Sequence, residues 1–134
     1  MPACLFIGDS IAYGAGQAVN ASGLARCAVV ARVGAAAPAI ARQAQGVGPV
    51  TMAVISAGSN GPTDPALLRG LATVRRSLRA RYVLWVLPYN RKAAYEVTRV
   101  AFSFGDDIVD LANTPTADGV HPRSYQAVAR WLLR

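Results

Sequence analysis

The chain is poor in several residue types, and each shortage excludes something. Of its 134 residues only two are cysteine, one is histidine and one is lysine. Two cysteines are too few for a disulfide-dense scaffold, and with a single histidine they cannot build the usual four-ligand zinc site. Charged residues make up 16% and apolar residues 53%, which excludes a disordered chain. Glycine, proline or arginine interrupts every apolar run, so no segment reaches the length of a membrane span. There are no internal repeats, low-complexity tails or linkers, and 134 residues make one domain, residues 1–134. Met1-Pro2-Ala3 runs into an apolar strand without a basic leader, so the default compartment is the cytoplasm, with export by another route left open. Cys4 and Cys27 fall in predicted strands, where small buried hydrophobes are expected rather than a disulfide.

What is present is arginine, alanine and an alternating pattern. Thirteen arginines and one lysine against seven acids leave a net charge of +7. That balance permits a polyanionic partner, but the arginines are scattered over predicted helix faces, which argues against nucleic acid and for a solvated surface. Strands are predicted at 3–7, 28–33, 52–55, 82–87 and 108–111, several of them continuously apolar, as in a sheet covered on both faces. Asp64-Pro65 reads as an N-cap and first helical residue, followed by an apolar face of Leu67, Leu71, Val74 and Leu78. Further helices are predicted at 35–44, around Ala93 to Phe104, and from Tyr125 to Leu132, with Arg130 and Arg134 in the last turn. Residues 14–24, small and polar, read as loop with a short helix. Trp85 and Trp131 are assigned to the core. The predicted architecture is α/β: a three-layer αβα sandwich on a parallel sheet of about five strands, flavodoxin-like.

In such a sheet, ligands bind outside the carboxyl ends of the strands. The residues that follow each predicted strand are Asp9 and Ser10, then Gly34, then Gly58-Ser59-Asn60, then Pro88-Tyr89-Asn90, then the stretch holding Asp118 and His121. A serine hydroxyl becomes a nucleophile when a base takes its proton, which His121 can do, and Asp118 can orient and charge-stabilise that imidazole. Pro122, read as the first turn of the last helix, would set His121 at that helix's positive end. The backbone N–H of Ser10, the backbone N–H of Gly34 and the amide of Asn60 are candidate oxyanion donors. Asp9 reads as a turn-holding carboxylate and not as the orienting acid. Taken singly, each of these is an ordinary loop residue; it is their order along one sheet edge that suggests chemistry.

These residues resemble the SGNH hydrolases, also called GDSL esterases and lipases. Gly8-Asp9-Ser10-x-x-x-Gly14 matches the first family motif, Gly34 the oxyanion glycine, Gly58-Ser59-Asn60 three positions of Gly-x-Asn-Asp, and Asp118 to His121 the Asp-x-x-His block, with Pro122 following. Gly61 stands where the family often has aspartate, and Ile11 replaces the leucine of the family's nickname. The resemblance implies a nucleophile Ser10, a base His121, an orienting acid Asp118 and oxyanion donors Ser10, Gly34 and Asn60, with no cofactor and no metal. It implies a small acyl ester or acylated carbohydrate as substrate, with a short-acyl esterase or carbohydrate O-deacetylase as the leading reading, since the short chain leaves little for a lid. Tyr13, Tyr89 and Asn90 are candidate substrate contacts. The same triad would serve a thioesterase or lysophospholipase, and the fold with the +7 charge would serve a non-catalytic polyanion-binding module. Nothing in the sequence specifies the oligomeric state.

Overall fold

The computed structural model describes residues 4–23 and 25–133. Strand and helix alternate: β1 (Cys4–Gly8), α1 (Ser10–Ser22), β2 (Ala28–Ala31), α2 (Ala37–Gln45), β3 (Val50–Ser56), α3 (Leu67–Ser77), β4 (Ala80–Leu87), α4 (Arg91–Phe104), β5 (Asp107–Asp110), a 3₁₀ turn (Leu111–Asn113) and α5 (Tyr125–Leu132). Ala3, Leu24 and Arg134, which the sequence pattern assigned to the first strand, the 14–24 stretch and the last helical turn, lie outside the described residues. Among the described residues the sheet has five parallel strands in the order β2-β1-β3-β4-β5, the flavodoxin-like arrangement.

Successive side chains of a strand point to opposite faces, and that alternation makes the layers. Leu5, Ile7, Ala53, Ile55, Val83 and Trp85 join the core under α2, α3 and α4. Phe6, Val54 and Val86 join the core under α1 and α5. Trp85 is fully buried, and its indole N–H donates to Asp106 Oδ2 at 2.9 Å, an oxygen that also accepts from Arg75 Nε at 2.6 Å. Trp131 is only partly buried.

Three expectations from the sequence are corrected. Residues 10–22 form a full helix rather than a loop with a short helix. Ile11, Ala15 and Val19 bury one face at helical spacing, Asp9 caps the start, and Gly23 (φ +75°) ends it. The glycines that made this stretch look irregular serve packing. A Cβ on Gly14 would stand 2.5 Å from the Tyr125 ring of α5. α3 begins at Leu67, because Asp64 closes a turn instead, its Oδ1 accepting from Ala66 N at 2.9 Å. Cys4 and Cys27 are joined in a disulfide. The cause is register: Leu5 pairs with Ala28 across the parallel strands, which brings the preceding residues to a Cα–Cα distance of 4.8 Å, within bridging range.

Candidate active site

The strand register brings the carboxyl ends into line, since Gly8 pairs with Ala31 and Ser56, Ser56 with Val86, and Leu87 with Asp110. Every polar segment singled out in the sequence leaves the sheet from this edge. Gly8 makes the first turn possible: its φ is +136°, and a Cβ there would run into the Ser56 carbonyl oxygen. The chain then enters α1 at once, so Ser10 is the first residue of a helix. Its backbone N–H is one that the helix leaves unused, and the positive helix end lies at the same point. Sequence reading missed this helix start; the available signal was the Asp9 cap followed by the 11, 15, 19 spacing.

Ser10 Oγ and His121 Nε2 are 2.9 Å apart, and His121 Nδ1 and Asp118 Oδ2 are 2.8 Å apart. The protons follow from the donors available. An ionised carboxylate only accepts, so Nδ1 carries the hydrogen and donates to Asp118, which places Nε2 toward the Ser10 hydroxyl, where an unprotonated Nε2 accepts from it. Asp118 Oδ1 accepts from His121 N at 2.7 Å and Val120 N at 2.9 Å. The bond from His121, then these backbone N–H groups, hold its carboxyl well below the usual carboxylate range although the residue is exposed. The three side chains, with Ser10 and His121 separated by 111 positions in sequence, therefore form one continuous hydrogen-bonded chain.

The surroundings of His121 differ from expectation in one respect. α5 starts at Tyr125 with Ser124 as its cap, and Pro122 instead pairs with Thr116 across a short antiparallel bridge. His121 therefore stands in that looped segment, not at the positive end of the helix. Tyr125 packs nearby, and burial, with Asp9 and Asp118 adding to it, pushes its phenol up to about 12.

Asp9 behaves as a structural carboxylate. It is fully buried, accepts from Ile11 N at 3.0 Å, and its own N–H donates to Ser56 O at 3.1 Å. Burial pushes its carboxyl up to about 6, with the neighbouring Ser56 hydroxyl and the first N–H groups of α1 pulling the other way. Oδ2 lacks a partner with hydrogen-bond geometry.

The remaining candidates stand around this chain. Gly34 is exposed at φ +82° in the turn after β2, which is tied to β1 by Arg32 N donating to Gly8 O at 3.0 Å. The Asn60 amide donates to Ala35 O at 3.1 Å, so it lies against that turn. One of its two N–H groups is used there. Tyr13 is exposed on the first turn of α1. The Tyr89 hydroxyl bonds Thr114 Oγ1 at 2.9 Å, and Asn90 caps α4 by accepting from Ala93 N at 2.9 Å. Two cavities flank the edge. One of about 290 Å³ borders Ala36 and Asn60, and one of about 180 Å³ borders Ser59, Tyr89, Asn90 and Val120. No helix among the described residues is long and apolar enough to cross a membrane.

No protein-family model and no curated protein sequence matches the chain. Solved structures do. Est24, a carbohydrate acetylesterase from Sinorhizobium meliloti, superposes with a TM-score of 0.67 at 12% identity over 98% of each chain. A member of the lipolytic G-D-S-L family from Veillonella parvula gives 0.68 at 17% identity, over 97% of this chain and 94% of that one. The C-terminal catalytic domain of the peptidoglycan O-acetyltransferase OatA from Streptococcus pneumoniae gives 0.65 at 17% identity, over 98% and 88%. At these identities the likeness is one of fold: the chain has the α/β architecture on which those esterases and that acetyltransferase domain are built.

Proposed function

We propose that this chain is a serine esterase in which Ser10 attacks, His121 moves the proton and Asp118 orients His121. The observation that carries the reading is the unbroken chain from Ser10 Oγ through both ring nitrogens of His121 to Asp118 Oδ2. In the first half-reaction Ser10 Oγ attacks the ester carbonyl carbon and its proton passes to Nε2. The oxyanion is held by the Ser10 and Gly34 N–H groups and the second N–H of Asn60, at the positive end of α1. The imidazolium, stabilised by Asp118, returns the proton to the departing alcohol. Water then repeats the sequence on the acyl-enzyme and restores Ser10.

A short acyl group, acetyl on a carbohydrate above all, is the substrate this reading favours. The two cavities that flank the sheet edge, about 290 Å³ beside Asn60 and about 180 Å³ beside Tyr89 and Asn90, lie at or below the small end of ligand pockets, and neither is lined by Ser10 or His121. Tyr13 and Asn90 are open to solvent and available for contact with the alcohol portion. The Cys4–Cys27 disulfide favours an oxidising compartment over the cytoplasm taken as default from the sequence. Hydrolysis of p-nitrophenyl esters of graded length, alongside acetylated sugars, tests the proposal. Turnover highest with acetate and absent in Ser10→Ala is the expected outcome. A preference for long chains defeats the short-acyl part, and full activity in Ser10→Ala defeats the whole.

A further inference from the structure

We propose that Tyr89 and Arg91, just past β4, are positioning residues that hold the 114–121 segment so that His121 meets Ser10. The proposal rests on the esterase reading and adds to it a tether outside the triad. The segment needs one, because Asp118, Gly119 and Val120 are exposed and only Pro122 beside them is buried. Its own bonds tie it to itself: Thr116 Oγ1 donates to His121 O at 2.8 Å and accepts from Gly119 N at 2.8 Å, and Ala117 N donates to His121 O at 3.0 Å. These bonds shape the segment without fixing where it lies against Ser10.

Tyr89 supplies a link to the sheet. Its hydroxyl lies 2.9 Å from Thr114 Oγ1 and donates to Pro115 O at 3.3 Å. Thr114 has one hydroxyl proton and donates it to Leu111 O at 2.8 Å, so the single phenol proton is shared between Thr114 Oγ1 and Pro115 O, with Thr114 the nearer acceptor. Arg91 in turn fixes Tyr89. Its Nε donates to Tyr89 O at 2.9 Å and its Nη2 to Pro88 O, while Nη1 and Nη2 grip the two oxygens of Asp110 at 2.9 and 3.0 Å. One guanidinium thus locks the exit of β4 to the exit of β5, the two points between which the tyrosine reaches. The pair is half exposed on the arginine side, where an ion pair adds little stability, so its geometry is what matters. A displacement of about 1 Å at reacting groups can slow a reaction roughly 100-fold.

The test uses Tyr89→Phe, Thr114→Val, Thr114→Ser and the Tyr89→Phe/Thr114→Val pair. Two readouts are kinetics on p-nitrophenyl acetate and the rate of Ser10 labelling by a fluorophosphonate. A third is the ¹⁵N spectrum of His121, unambiguous because the chain has one histidine. Tyr89→Phe and Thr114→Val should each lower kcat and labelling about tenfold with KM within about twofold, and the pair should fall well short of the product of the two losses, since both remove the Tyr89–Thr114 bond. Thr114→Ser should restore the wild-type rate. Ser10→Ala marks where the His121 ring signals go when Ser10 is lost, and Tyr89→Phe should move them toward that position. His121 signals unmoved in Tyr89→Phe overturn the proposal whether or not any ester is cleaved. A change in KM alone also overturns it, and would make Tyr89 a substrate contact. Wild type that neither labels nor turns over defeats the esterase reading instead, with the His121 signals still deciding on the tether.

Discussion

Two aspartates stand close to the same serine and live in opposite surroundings. Asp9 is sealed in the core beneath the start of α1, and burial pushes its carboxyl up to about 6. Asp118 lies in the open on a looped segment, and its bonds to His121 hold it firmly ionised. Under the proposed function, burial therefore does not mark the carboxylate assigned to the chemistry. The buried carboxylate organises backbone, and the exposed one is charged where an imidazolium would need it. The two carboxyl groups are pushed in opposite directions by their environments, which suits them to the two different tasks the proposed function gives them. The Ser10 half of the candidate site is built on buried core, while the His121–Asp118 half depends on hydrogen bonds among polar groups.

That contrast can be broken most severely from the exposed side. His121→Ala should lower kcat roughly 10⁴-fold or more, while urea unfolding shifts by about 0.5 kcal/mol at most, because the residue contributes little packing. Asp118→Asn should cost roughly 10²–10⁴-fold in kcat by releasing the ring from its tautomer, again with stability near wild type. Steady-state kinetics and denaturant titration of the same samples separate the two effects.

The core side should answer in stability instead. Reducing the Cys4–Cys27 bridge, which spans a separation of 23 residues at the amino ends of the strands, should lower stability by about 3 kcal/mol and leave kcat/KM unchanged. Thermal melts with and without reductant check this, provided activity is assayed below the melting range. Asp9→Asn gives the smallest and most specific effect. The folded carboxyl titrates near 6 against an ordinary value of 3.8, so the folded state holds its proton longer than the unfolded chain. The stabilisation from Asp9 should be fully present below about 3.8, and about 2–3 kcal/mol of it should be lost as pH rises through about 6. Asn keeps the cap on Ile11 N and has no proton to lose, so its stability should lack that slope. An equal slope in both proteins would mean that another group is responsible.

Much of this could be read from residue order alone. Continuous apolar strands separated by helical spacing announced a parallel sheet with helices on both faces, because burying both faces leaves no polar alternation. The polar segments at the strand ends marked the site, and Asp-x-x-His is local enough that the chain itself brings its two side chains together. Residues 10–22 misled because Gly14 and Gly16 lower helix propensity, while packing on Tyr125 and Val29 favours them for their lack of a Cβ. Pro122 misled for a similar reason: proline suits the first turn of a helix, but the pairing with Thr116 outweighed that preference. The disulfide was hidden because whether Cys4 faces Cys27 depends on strand register, which no local pattern reports.

Composition and periodicity were sufficient for the layered fold, and the order of the polar segments after the strands, with the motifs they resemble, for the candidate nucleophile, base and acid. Tertiary structure was needed to bring Ser10 within 2.9 Å of His121 across 111 residues, to bury one aspartate and expose the other, and to recruit Tyr89 and Arg91 beneath the segment that carries the histidine. Those outcomes depend on which strand ends become neighbours, and that is settled only when the whole sheet assembles around its two cores.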